Sequence, residues 1–131
     1  MKKLIVMAAA LLFLVPGFVF AAQGELKLQT TCPVLGNKIN KSVYTDYQGQ
    51  RIYFCCPGCK GNFLKDPEKY FKKIQDDGVL LESVQKKCPV MSGDIDKNVY
   101  TDYKGRRVYF CCASCKKKFA DEPEKYLKKL K

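Results

Sequence analysis

The chain has 131 residues, 47% of them hydrophobic, with eight Cys, no His and a formal net charge of +11 from 24 Lys and Arg against 13 Asp and Glu. Without His, a His general base, a Cys-His nucleophile pair and every His-containing metal site are excluded. So basic a balance would ordinarily point to nucleic acid, but the first residues argue for export and so against that partner.

Lys2 and Lys3 precede an apolar run from Leu4 to Phe20, and the small residues Ala21 and Ala22 follow. This is the charge, hydrophobic core and cleavage layout of a secretory signal peptide, expected over residues 1–22. Leu4 to Ala22 is nearly long enough to span a bilayer, yet Pro16 and Gly17 beside a cleavable end favour removal over anchoring. No later stretch has the length and apolarity to cross a membrane. The mature protein is therefore expected in the bacterial envelope, periplasmic or secreted, with no stable membrane insertion after cleavage.

The remainder is one segment written twice. Residues 32–74 align without a gap to residues 88–130, and 25 of the 43 pairs are identical. All eight cysteines pair off in that alignment: Cys32 with Cys88, Cys55 with Cys111, Cys56 with Cys112, and Cys59 with Cys115. The domain plan is module 1 over 28–75, a linker over 76–83 and module 2 over 84–131. Units this small cannot build a large core and are natural subjects for stapling by metal or disulfide.

Within module 1, Val43–Tyr47 and Arg51–Phe54 are rich in β-branched and aromatic residues, with Gln48-Gly49-Gln50 as a hairpin turn between them. The second strand ends on the double cysteine. Pro57-Gly58 reads as a turn, and Cys59–Leu64 as a short helix starting at the third cysteine. A second helix follows, with Asp66 as cap, Pro67 at its first position and Glu68 at the positive end of its dipole. Tyr70, Phe71 and Ile74 fall at helical spacing on one inward face, and Asp76-Asp77-Gly78 ends the helix. Module 2 repeats this with hairpin strands Val99–Tyr103 and Arg107–Phe110, Ser114 as a helix cap before Cys115, and Tyr126, Leu127 and Leu130 facing inward. Leu28-Gln29 matches Val84-Gln85, so each module gains a short extended lead-in. The lysines gather on the last helix of each module, where a solvated face explains them. The expected class is α+β, two tandem Cys-rich modules, each a β-hairpin followed by two short helices.

No glycine-rich phosphate loop and no catalytic constellation appears, so the protein is expected not to be an enzyme. Any site must be built from thiolates, which suit Cu(I), Zn(II) or related thiophilic ions. Cys32 opens the module, the hairpin carries the chain out and back, and Cys55, Cys56 and Cys59 arrive together at a helix start, which lowers thiol pKa values. Adjacent Cys55 and Cys56 are harder to place on one ion, because a peptide link aims neighbouring side chains apart. The competing reading is a structural disulfide set, which an oxidising compartment favours. Cysteine clustering weighs toward metal.

At these residues the sequence resembles a known family. Cys32, 22 residues, Cys55, three residues, Cys59, then Phe63 and Pro67–Tyr70 is similar to a TRASH or YHS-type heavy-metal-binding domain, and Cys88, Cys111, Cys115, Phe119 and Pro123–Tyr126 match again. The resemblance implies a treble-clef-like shape and makes Cys32, Cys55 and Cys59, with Cys88, Cys111 and Cys115, the expected ligands. Cys56 and Cys112 are additions to that pattern and leave the choice of ligands open. The Tyr-His-Ser triplet that names the YHS group is absent. The implied function is to carry, buffer or sequester a thiophilic ion, Cu(I) or Zn(II), about one per module, with a metal transporter or metalloprotein as donor or acceptor. The alternatives are a thiol-disulfide exchanger using Cys56/Cys59 and Cys112/Cys115, or an adaptor that zinc or disulfides merely hold together.

Overall fold

The computed structural model describes residues 26–130. The signal-peptide reading of residues 1–22 lies outside the described residues. In module 1 a short strand β1 (Lys27–Leu28) leads in, followed by a hairpin of β2 (Asn40–Tyr47) and β3 (Gln50–Phe54) and two helices, α1 (Pro57–Lys65) and α2 (Pro67–Asp76). The connector carries β4 (Val79–Leu80) and β5 (Glu82–Ser83). Module 2 repeats the hairpin as β6 (Asp96–Tyr103) and β7 (Arg106–Phe110), then α3 (Ala113–Asp121) and α4 (Pro123–Leu127). These are two similar α+β modules, each with a strand pair, two short helices and a cysteine cluster.

The hairpins turn at Gln48-Gly49 and Lys104-Gly105, all four residues having positive φ. Both central residues of such a turn lie in the left-handed region, which matches the twist of the flanking strands. β2 begins at Asn40, earlier than its β-rich part at Val43, and its register against β3 shifts between Asn40 and Tyr44. That irregularity recurs between Asp96 and Tyr100.

The first helix of each module starts earlier than expected. Pro57 is not a turn residue but the first residue of α1, with Cys56 as the extended residue before it. Proline lacks the N–H that a first helical turn leaves unpaired, and its fixed φ suits the helix. In module 2 Cys112 takes the same place and Ser114 lies inside α3 rather than capping it. Asp66 caps α2 as its sequence position implies, accepting from the Lys69 N–H at 3.4 Å, and Gly78 follows the helix with φ +65°.

Alternation along β3 buries Ile52 and Phe54, which meet Phe63 of α1 and Phe71 and Ile74 of α2. Phe63 is the hub, 5.5 Å from Phe54, 5.6 Å from Phe71 and 5.8 Å from Tyr47 between ring centroids. Each such ring, fully buried, contributes roughly 1.5–3 kcal/mol. Val108, Phe110, Phe119, Leu127 and Leu130 form the matching core of module 2. The lysine-rich helix faces are solvated, with Lys72–Asp76, Lys73–Asp77 and Lys125–Glu122 pairs at 2.6–2.9 Å.

The connector is structured. β4 pairs in parallel with β1, and β5 adds to the hairpin beside β3, Gln50 facing Ser83 and Arg51 facing Glu82. The modules then clasp each other turn on helix. Gly105 of the second hairpin turn lies against the Phe71 carbonyl of α2, while Gly49 of the first turn packs beside Gln85 and Leu130. Arg106, 1% exposed, stacks its guanidinium 3.7 Å from the Phe71 ring centroid, pairs with Glu68 and donates to the Lys104 carbonyl at 3.0 Å. At the equivalent position Gln50, fully buried, donates to the Arg107 carbonyl at 2.8 Å.

Candidate metal centre

Cys32 sits in a tight knuckle. Its N–H donates to the Asn37 carbonyl at 2.7 Å, its own carbonyl accepts from Gly36 at 2.8 Å, and an isolated bridge joins Thr31 to Lys38. Gly36 has φ +74°, so the knuckle suits a residue without Cβ. Module 2 builds the same loop, with 2.8 Å bonds between Cys88 and Gly93 and between Ser92 and Cys88, and Ser92 holding φ +59° at the glycine's place.

A glutamine fixes the knuckle against the hairpin. Gln29 donates to the Tyr53 carbonyl at 2.8 Å and accepts from the Tyr53 N–H at 3.0 Å, bonding β3 just before the double cysteine. Gln85 grips Tyr109 in the same two-bond manner, at 2.6 and 3.0 Å. In the sequence the two glutamines read only as part of a lead-in. Their signal was present, a Gln three residues before the first cysteine in both copies.

The knuckle, the end of β3 and the start of α1 bring Cys32, Cys55 and Cys59 together, with all three sulfurs within 4.8 Å of one another, and Cys88, Cys111 and Cys115 converge in the same way. Cys55 and Cys59 Sγ lie 3.6 Å apart, and Cys111 and Cys115 Sγ 3.5 Å. Thiolates sharing an ion at about 2.3 Å stand roughly 3.8–4.0 Å from each other. The donor set and its spacing therefore fit a soft metal ion. Cys56 and Cys112 stand outside the groups of three, 3.3 Å from Cys59 and 3.5 Å from Cys115. Only one of each adjacent pair belongs to a group of three, although Cys111 and Cys112 Sγ lie 4.0 Å from each other.

The thiols differ in proton affinity. Burial works against a Cys32 thiolate, but the backbone N–H groups of Leu35, Cys55 and Val34 directed at its sulfur outweigh it, and the thiol lies below the ordinary value. Cys88 is held low in the same way, through Met91, Cys111 and Val90. Burial, together with the neighbouring thiols, pushes Cys59 and Cys115 far up. Burial and the proximity of Cys32 raise Cys55, while at Cys111 the pull of Cys115 is overcome by burial and Cys88. Hydrogen bonding from Cys59 lowers Cys56, and from Cys115 lowers Cys112. Each group of three thus holds one thiol that binds its proton less tightly than usual and two that bind theirs more tightly.

A family model described as YHS domain matches residues 31–73 and again residues 89–129, together well over half of the sequence. The chain belongs to the YHS domain family. The second match starts one residue after Cys88, which the duplication and the geometry equate with Cys32. Neither a search of the curated proteins nor one of the solved structures gave a match. The two YHS modules each bring one three-cysteine group able to bind a metal ion. Among the described residues no helix is long and apolar enough to cross a membrane.

Proposed function

We propose that this tandem YHS protein is an exported heavy-metal-binding protein that carries, buffers or sequesters a thiophilic ion, Cu(I) or Zn(II), about one per module. The supporting observation is that three thiols from three separate parts of each module converge within 4.8 Å, twice in one chain. Thiolate-only donor sets select soft ions. Cys32 and Cys88 carry particular weight here, because a thiol-disulfide exchanger has no use for them. The ion is cargo in this reading, not a catalytic cofactor, and the protein is not an enzyme. The charge and apolar layout of residues 1–22 supports export to the bacterial envelope. Its donor or acceptor is then a metal transporter or metalloprotein of that compartment.

The 3.3 Å and 3.5 Å approaches of Cys56 to Cys59 and Cys112 to Cys115 favour thiol-disulfide exchange as the second reading. One anaerobic experiment separates the two. The reduced mature protein is titrated with Cu(I) and with Zn(II), thiols are counted, and reduction of a model disulfide is assayed in parallel. Metal binding predicts saturation near two ions per chain. A reduced chain that takes up neither ion yet reduces the disulfide would transfer the function to the redox reading.

A further inference from the structure

Cys56 and Cys112 are not members of the three-cysteine groups, yet each touches one. In module 2 the sulfurs of Cys111, Cys112 and Cys115 form a complete triangle with edges of 3.5, 3.5 and 4.0 Å. In module 1 Cys59 is 3.3 Å from Cys56 and 3.6 Å from Cys55. Thiolates on one ion stand about 3.8–4.0 Å apart, so this second triangle has the dimensions of a ligand set as well. Module 2 therefore holds an inner set, Cys88/Cys111/Cys115, and an outer set, Cys111/Cys112/Cys115, that share two sulfurs, and in module 1 Cys56 meets the inner set Cys32/Cys55/Cys59 through Cys59. Cys32 and Cys59 are 1% and 2% exposed, whereas Cys55 and Cys56 are half-buried. Module 2 repeats the burial pattern although Ala113-Ser114 replaces Pro57-Gly58.

We propose that Cys56 and Cys112 are exchange ligands, through which a thiophilic ion passes between the buried inner set and an outside partner offering a soft sulfur ligand. The inference rests on the metal-binding reading above. A partner's sulfur cannot reach Cys32 or Cys59 directly, because both are covered. In the inward step a bond from Cys32 to the ion forms as the bond from Cys56 breaks, and the proton given up by the Cys32 thiol is balanced by one taken up at Cys56. The outward step reverses this. Cys55 and Cys59 hold on throughout, so the ion keeps three sulfur ligands and its oxidation state.

The test uses the full mature chain loaded anaerobically with two equivalents of Cu(I). Brief alkylation with iodoacetamide followed by mass spectrometry should label Cys56 and Cys112 and spare the other six cysteines. Transfer of Cu(I) to an excess of chromophoric chelator, followed by stopped flow, should slow by about 10–100-fold in the Cys56→Ser, Cys112→Ser protein while affinity changes by less than about tenfold. Cys56→Met with Cys112→Met, which restores a soft ligand, should recover part of the rate. Protection of Cys56 and Cys112 from alkylation, an unchanged transfer rate in the Ser variant, a Met variant as slow as the Ser one, or collapse of affinity in the Ser variant would each overturn the proposal. A wild-type chain that binds no Cu(I) would instead bring down the metal-binding reading, and this inference with it.

Discussion

Gly49 and Gly105 occupy the same position in two copies of one hairpin turn, with φ +75° and +76°, but they face different neighbours. Replacing either by Ala places a side chain in the left-handed region, which costs about 1–2 kcal/mol. At Gly49 the new methyl would stand 3.4 Å from Gln85 Cβ and 3.7 Å from Leu130 Cδ1, ordinary contact that adds nothing. At Gly105 it would collide with the Phe71 carbonyl oxygen and lie 3.2 Å from the carbonyl carbon, on a helix backbone that cannot yield as a flexible side chain does. Overpacking of this kind adds about 1–3 kcal/mol, so Gly105→Ala should cost about 2–5 kcal/mol against about 1–2 for Gly49→Ala. Urea denaturation of the reduced, metal-free protein, followed by circular dichroism, measures both. Equal losses in the two variants would refute the turn-on-helix clasp.

Three further outcomes are expected. Cys32→Ser should weaken binding in module 1 by about 10²–10³-fold, since structural zinc sites bind with about 10–16 kcal/mol shared over four ligands; competition against a chelator of known affinity checks it, and an unchanged constant would remove Cys32 from the site. Because Cys55 and Cys59 hold their protons more tightly than ordinary thiols while Cys32 holds its proton less tightly, each bound ion should release about two to three protons near neutral pH, so affinity falls as pH falls; dissociation constants over a pH series that change by less than tenfold per unit would contradict this. Arg106→Gln, which installs the residue of module 1 at that place, should cost about 2 kcal/mol through the lost desolvated cation–π contact, while metal stoichiometry stays at two per chain; a loss under about 0.5 kcal/mol in a denaturation series would show that the stacking on Phe71 contributes little.

What the sequence made legible was local. Val43–Tyr47, Gly49 and Arg51–Phe54 announce a hairpin through β-branched and aromatic content around a turn residue, and Asp66-Pro67-Glu68 announces α2 through capping chemistry within four residues. The return of the chain toward Cys32 also followed, because a hairpin brings its two ends to one place, but the choice of Cys55 rather than Cys56 beside Cys59 came only from the family resemblance. Pro57 opens α1 although Pro-Gly reads equally as a turn and as a helix start, and only the strand exit before it decides between them. The pairing of β5 with β3 and of β4 with β1 rests on two-residue strands, too short to leave a periodic pattern. The clasp was hidden for a different reason. Its key residues, Gln50 and Arg106, differ between the copies, so a comparison of the repeats marks their position as variable when it is in fact buried.

That difference explains how two similar modules come to fit each other. Cysteines, hairpin tyrosines and the Pro-Glu-Lys-Tyr helix start are shared, whereas Gln48/Lys104, Gln50/Arg106, Phe71/Leu127 and Ile74/Leu130 are not, and all four pairs belong to the turns and helix faces where the modules meet or to their immediate neighbours. Arg106 needs an aromatic face and an acid, and finds Phe71 and Glu68 across the interface. Its counterpart Gln50 needs neither: in the other direction the clasp offers Leu130 beside Gly49 and a backbone carbonyl at Arg107. Two copies of module 1 would bury a Gln with no Arg to complete the lock, and two copies of module 2 would bring Arg106 to Leu127, which has no ring to stack on. The modules are thus complementary rather than interchangeable, while the ligand residues of each stay the same.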